Sequence, residues 1–309
     1  MDPRVIDSRN QERGDVIARD GQLWHTDELT IGYQQQIGQM IGAGVRYIHR
    51  TWDNLIDDVW SFDGATAVRQ VMNYDAAERT FRGLELTLDK RFSNHSQAAG
   101  SYTFSRAEGN HFADNFTTLG DYLDANCRLA GDTGVGANGV VPCRDVTEGN
   151  KLGLSANDRP HSIKLAGAYS RPIGRVNLTA GAVYDMVSHV NYTRNRSASV
   201  LNPVTGASTT TRTFFYEPLG SNRLPGFFDA LDTSFEATFR PYRTSQIGLK
   251  AEVFNVLNNE EKDNVGSTVW CESTATAACN TARENFGKAT ARGHFRTPRS
   301  FRFTAIFRF

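Results

Sequence analysis

The sequence predicts an all-β chain: a transmembrane antiparallel β-meander of about nine strands, a partial outer-membrane barrel with long extracellular loops. Three observations lead there. In the last eleven residues Phe301, Phe303, Ala305, Phe307 and Phe309 fall on one face, and Ser300, Arg302, Thr304, Ile306 and Arg308 on the other. That is the period of a strand. Four hairpins of the same design precede it. Finally, the connections alternate strictly between short turns and long polar stretches, as in bacterial barrels with periplasmic turns and external loops. Taken alone, the terminal segment also suits the last strand of a soluble sheet, but sandwiches do not vary their loops so regularly.

Composition narrows the class further. The 309 residues carry 34 basic and 34 acidic side chains, so no net field attracts nucleic acid or an anionic surface. Hydrophobic residues make up 39% and mean hydropathy is negative. No apolar run reaches the ~18 residues of a membrane helix. A barrel escapes that test, because half of its wall faces a wet lumen. Met1-Asp-Pro-Arg-Val lacks the charged and apolar regions of a signal peptide.

Residues 1–25 are polar and read as loop, a residual extracellular loop or linker. Leu29, Ile31, Tyr33, Gln35 and Ile37 then alternate with polar neighbours. After Gly38-Gln39, Ile41, Ala43, Val45, Tyr47 and His49 do the same. The second hairpin sets Leu84, Leu86, Leu88 and Phe92 against Ala98, Gly100, Tyr102 and Phe104, around Ser93-Asn94-His95. Ile163 to Tyr169 and Val176 to Met186 form the third, across Arg171-Pro172-Ile173-Gly174. Leu231 to Phe239 and Ile247 to Val253 form the fourth, across Pro241 to Ser245. Long polar connections run over about 53–78, 107–159, 187–226 and 258–297. Thr209–Tyr216 reads as a strand extending beyond the bilayer.

Several stretches resemble the C-terminal barrel of TonB-dependent outer-membrane receptors, and suggest the Oar-like subgroup. They are Thr26-Asp-Glu-Leu-Thr-Ile-Gly-Tyr33, Arg159-Pro-His-Ser-Ile-Lys-Leu165, Leu224-Pro-Gly-Phe-Phe-Asp-Ala-Leu-Asp232 and Ala251-Glu-Val-Phe-Asn-Val-Leu-Asn258. The terminal Phe301, Phe303, Phe307 and Phe309 resemble the signal read by the barrel-insertion machinery. The resemblance spans residues 26–309. It implies a receptor importing a ligand across the Gram-negative outer membrane, partnered by lipid, the barrel-assembly machinery, a plug domain and TonB. It implies no cofactor, and the ligand is not named by it. Receptors of this family carry a signal peptide, a plug with an energy-coupling box, and 22 strands. Set against that, the nine strands read as a fragment, the last nine of the barrel. A structural or adhesive outer-membrane protein acting through its loops is the alternative.

No nucleophile–base pair, metal set or phosphate cradle is recognisable, so an enzyme is not expected. Gly131-Asp-Thr-Gly134-Val-Gly136 follows no strand and precedes no helix. The seven histidines show no metal-ligand spacing. Cys127, Cys143, Cys271 and Cys279 lie two by two in two long connections. In an oxidising compartment an even count favours disulfides, and Cys127–Cys143 with Cys271–Cys279 costs the least loop closure. Arg46, Arg50, Trp52, Trp60, Arg82, Tyr122 and Trp270 are expected in loops or on lumenal faces near the outer rim. There they could stack on and hydrogen-bond a ligand; as ordinary barrel residues they would instead form the interfacial girdle or pair with lumenal acids.

Overall fold

A computed structural model of the chain describes residues 15–17, 21–63, 66–73, 77–111, 121–122, 128–129, 150, 152–155, 157–201, 208–215, 217–242, 245–262, 265, 268–272, 281–282, 286–289 and 291–308. Nine long strands make one sheet: β1 (His25–Ile37), β2 (Ile41–Asp53), β3 (Arg79–Ser93), β4 (Ser96–Gly109), β5 (His161–Ile173), β6 (Val176–Ser188), β7 (Phe227–Tyr242), β8 (Ser245–Phe254) and β9 (Ser300–Arg308). Each pairs antiparallel with the next in chain order. β1 and β9 stand at the two ends of that order, so the meander is open, as expected of a partial barrel.

The turns have the chemistry that tight hairpins demand. Between β3 and β4, Asn94 (φ 49) and His95 (φ 65) both adopt left-handed backbone, the requirement of a two-residue turn whose twist matches its strands. Gly174 (φ 60) supplies the same conformation between β5 and β6. The strands there run further than the alternation suggests: Pro172 still pairs with Asn177.

Register fixes which side chains share a face. Val45, Leu86, Tyr102, Ile163 and Met186 form one cross-strand row, and Val253, Phe301, Ala251 and Phe303 pair at the other end of the sheet. These rows are apolar and half-buried to exposed: Leu86 is 42% accessible and Phe303 79%. The opposite face carries Glu28, Arg50, Arg46, Glu85, Lys250 and Glu252. Among the described residues only Ile48, Leu55, Ala230 and Val265 are buried hydrophobics. A sheet of this size with no apolar core leaves its greasy face uncovered by the described part of the chain.

Lys90 is a charged residue within the apolar run of β3 from Leu84 to Phe92. Its Nζ turns into the β3–β4 hairpin and donates to the Ser93 carbonyl (3.0 Å), the Ser96 carbonyl (2.8 Å) and Ser96 Oγ (2.8 Å). The aliphatic stem stays with its neighbours while the charge is satisfied by the turn.

The sheet is also sheared. The row that begins at Ile41, next to its turn, passes through Lys90, Ala98, Gly167 and Ala182 to Thr233, far up β7 from the turn that follows Tyr242. Such stagger is what tilts strands against the axis of a barrel wall.

The long connections hold more structure than their composition suggests. Ile56–Asp63 and Thr66–Asn73 form a hairpin, joined in parallel by Asp15–Ile17 and by Asp121–Tyr122. Residues 53–78 and 1–25 are therefore not loop throughout. Their strands are too short and too polar to leave a clear period. Ser208–Phe215 is a strand near the expected bounds, but it pairs with Asn195–Leu201 in a separate sheet and does not extend a strand of the main one; Tyr216 lies outside the described residues.

Candidate ligand-facing surface

On the polar face, the outer ends of β1–β3 gather arginines, acids and aromatics in strict register. Arg46 sits opposite Glu85 and donates from Nε to Oε2 at 2.8 Å. Arg50 pairs with Glu28, whose other oxygen accepts from Thr30 Oγ1 at 2.9 Å. Arg50 also lies over the Phe81 ring (5.9 Å), and Arg79 over Trp52 (4.5 Å). Further round, Glu252 accepts from Arg302 (2.5 Å) and lies 2.8 Å from Lys250. Most charges on this face are thus paired across strands, with the Arg46 side chain exposed and the half-buried Trp52 and Phe81 rings each under a guanidinium. Such a surface can bind an anionic or planar ligand. The polar face also holds a shallow depression of about 590 Å³, bordered by Asp89, Arg91, Val183, Asp232 and Glu252.

Of the residues singled out from sequence, Arg46, Arg50 and Trp52 fall on this face. Arg79 and Phe81 belong with them and were missed, although stepping back by twos from Glu85 reaches both. Arg82 does not belong. It alternates with Leu84 and Leu86, is exposed, and pairs with His49 and Arg106 on the apolar side. Trp60 and Tyr122 are backbone partners in the outer hairpin sheet, while Trp270 lies in a different one, within Thr268–Glu272 beside Arg196. Phe301, Phe303 and Phe307 are exposed on the apolar face of β9. Phe309 lies outside the described residues, as do Cys127, Cys143 and Cys279; Cys271 is in the strand Thr268–Glu272.

Sequence reasoning also missed a polar shelf at the outer ends of β4–β8. Asp158, nearly buried, accepts from the Ala107 N–H (2.7 Å) and from Arg223 (2.8 Å). Ser188 receives the His161 N–H on Oγ (3.0 Å) and Arg159 on its carbonyl (3.1 Å). His189 is fully buried, 3.7 Å from Glu261. Asn255 (φ 50) accepts from the Asn259 N–H (3.0 Å) and donates to the Asn259 (2.9 Å) and Thr297 (3.0 Å) carbonyls. Asn258 accepts from the Arg299 N–H at 3.0 Å. The last long connection is thereby tied to the start of β9. These partners are far apart in sequence, so no local pattern announces them.

His25, Asp27 and Asp53 bring ligand-type atoms within 4.8 Å of one another at the outer end of β1–β2. All three are exposed, and exposed acids commonly gather without an ion, so the grouping supports no metal assignment.

No family model matches the chain. Over 266 residues it is 22% identical to the TonB-dependent transporter Oar of Myxococcus xanthus, an alignment covering 82% of this chain and 23% of that protein. The chain thus spans under a quarter of this relative's length. Among solved structures it is similar to the ferric preacinetobactin receptor BauA from Acinetobacter baumannii, with a TM-score of 0.48, 12% identity, and 92% of this chain against 29% of that one. The outer membrane transporter YddB from Escherichia coli gives a TM-score of 0.47 at 13% identity, over 96% of this chain and 34% of that one.

Proposed function

We propose that the chain is part of the wall of a TonB-dependent receptor in the Gram-negative outer membrane, a protein that takes up a ligand rather than transforming one. The observation that carries this reading is the two-faced sheet. Its apolar side is exposed from Tyr33 to Phe303, and its other side is laced with paired charges. An exposed apolar face of that extent is a liability in water and a requirement in hydrocarbon. On β3 the apolar run from Leu84 to Phe92 rises ~27 Å along the strand at ~3.4 Å per residue. Tilted by ~40°, that gives about 21 Å, close to the ~25 Å band of an outer-membrane barrel. The sequence similarity to Oar, a TonB-dependent transporter, supports the same reading.

In this reading, the Leu84–Leu86–Leu88 face meets lipid and the Arg46–Glu85 face meets the lumen. The hairpin Ile56–Asp63/Thr66–Asn73 and the polar shelf then lie outside the cell, with the short turns in the periplasm. A plug, TonB and the barrel-assembly machinery are the partners of the whole receptor. Arg46, Arg50, Trp52, Arg79 and Phe81 form the stretch of wall offered to the ligand. Residues 1–25 belong to an outer connection, and 26–309 to the C-terminal part of the barrel.

The test has two arms. Fractionation with surface labelling of cysteines introduced at Asp57 and at Asn94 should place the first outside the cell and the second inside it. Deleting the gene should abolish uptake of a compound whose entry also requires the energy-coupling protein. Recovery of the chain in the aqueous fraction would end the membrane reading. An intact membrane location with no energy-dependent uptake would leave a structural or adhesive barrel instead.

A further inference from the structure

Arg82 and Arg106 are direct cross-strand partners on the apolar, outward face of β3 and β4. Both are exposed, and like charges placed directly opposite each other destabilise a sheet. Among the described residues Arg82 has no partner. Arg106 has one: its Nε donates to Glu108 Oε2 at 2.7 Å. The one carboxylate thus serves only one of the two guanidinium groups, and it sits on the far side, in the next row outward, where Glu108 pairs with Thr80. His49 continues the basic row beside Arg82.

The row immediately beneath is apolar and aromatic. Tyr47, Leu84, Phe104 and His161 stand in register, with the Phe104 and His161 rings 5.3 Å apart. Two residues of strand separate the rows, ~7 Å along the chain and ~5 Å along the axis of a tilted wall. That is the depth of one headgroup layer, ~5–7 Å between the hydrocarbon edge and water. The guanidinium pair is thus at phosphate height, over a surface that holds acyl chains. A guanidinium fork matches phosphate oxygens in shape and charge.

We propose that Arg82 and Arg106 together clamp the phosphate of an outer-leaflet lipid, whose acyl chains lie along Leu84 and Phe104. This rests on the membrane reading above. The anion relieves the repulsion between the two arginines, and the apolar row beneath selects a lipid over a free ion.

Native mass spectrometry tests the assignment on the whole receptor that contains this stretch of wall, extracted from membranes in detergent, delipidated, and titrated with phosphatidic acid in mixed micelles. The parent should retain the lipid, and R82Q/R106Q should retain it at least about tenfold more weakly, the loss of two charge-assisted contacts. Inorganic phosphate at equal concentration should not displace it. Equal retention by parent and variant overturns the clamp, and displacement by inorganic phosphate reduces it to a free-anion site. Because Arg82 is exposed and unpaired, the variant should partition into membranes as the parent does. If the parent itself does not partition there, the membrane reading falls, and the clamp with it. Normal partitioning with unchanged lipid retention sinks the clamp alone.

Discussion

Asn255 donates its side-chain amide to the carbonyl of Thr297, 3.0 Å away and 42 residues further along the chain. With its bonds to Asn259, this one left-handed residue closes the end of β8 and delivers the chain to β9. Asn255→Ala should remove three bonds at a buried position and cost ~2–3 kcal/mol. Asn255→Asp keeps only the acceptor and should fall between. Thermal or urea denaturation of the extracted protein would reveal it, and a variant as stable as the parent would mean the tie is incidental.

Leu86 and its neighbour Thr87 point to opposite faces. A cationic side chain at the middle of the bilayer costs ~2–4 kcal/mol, whereas a lumenal one stays wet. Leu86→Arg should therefore depress the amount of assembled protein far more than Thr87→Arg. Comparable losses would argue that neither face meets lipid.

For the cysteines, peptide mapping without reductant should recover Cys127 linked to Cys143, and Cys271 to Cys279. Bridges closing loops of this size contribute roughly 3 kcal/mol each. Free thiols, or a bridge joining the two connections, would refute the local pairing.

Arg46 and Arg50 form exposed ion pairs with Glu85 and Glu28, of a kind whose contribution to stability is about 0–1 kcal/mol. Alanine at either position should leave assembly nearly unchanged. If the surface is offered to a ligand, the same variants should weaken uptake or binding several-fold. A loss of assembly without a loss of uptake per assembled molecule would reassign them to structure.

The parity of the sheet bears on the isolated chain. β1 and β9 run in the same direction, so closing nine strands would need a parallel seam, whereas bacterial barrels are antiparallel throughout. Left open, the sheet exposes two edges of backbone groups that hydrocarbon cannot satisfy. Residues 1–309 secreted alone should aggregate, showing no heat-dependent shift in electrophoretic migration. A compact, protease-resistant monomer would show that the seam can close after all.

The nine strands were legible because each has one face in each of two opposite environments, which writes a period of two into the chain. Gly174 and Asn94 announced their turns for equally local reasons. The outer hairpin was not legible, since Val59 and Phe62 are too few among polar neighbours to show a period. Nor was the shelf, where Asp158 meets Arg223, and Asn255 meets Thr297, across tens of residues. The placement of Arg82 was recoverable: counting back from Leu84 puts it on the apolar side. Grouping it with Arg46 and Arg50 by residue type hid that.

The shear of the sheet also governs how the gene can change length. A single codon lost within β5 would exchange the faces of Lys164 and Leu165 and break the register with both neighbouring strands. It would also alter the pitch at which the later strands ascend. Substitutions act on one position, but such a deletion propagates along the strand and across the wall. Tolerated insertions and deletions should thus be confined to the outer connections, where a residue more or less displaces no row.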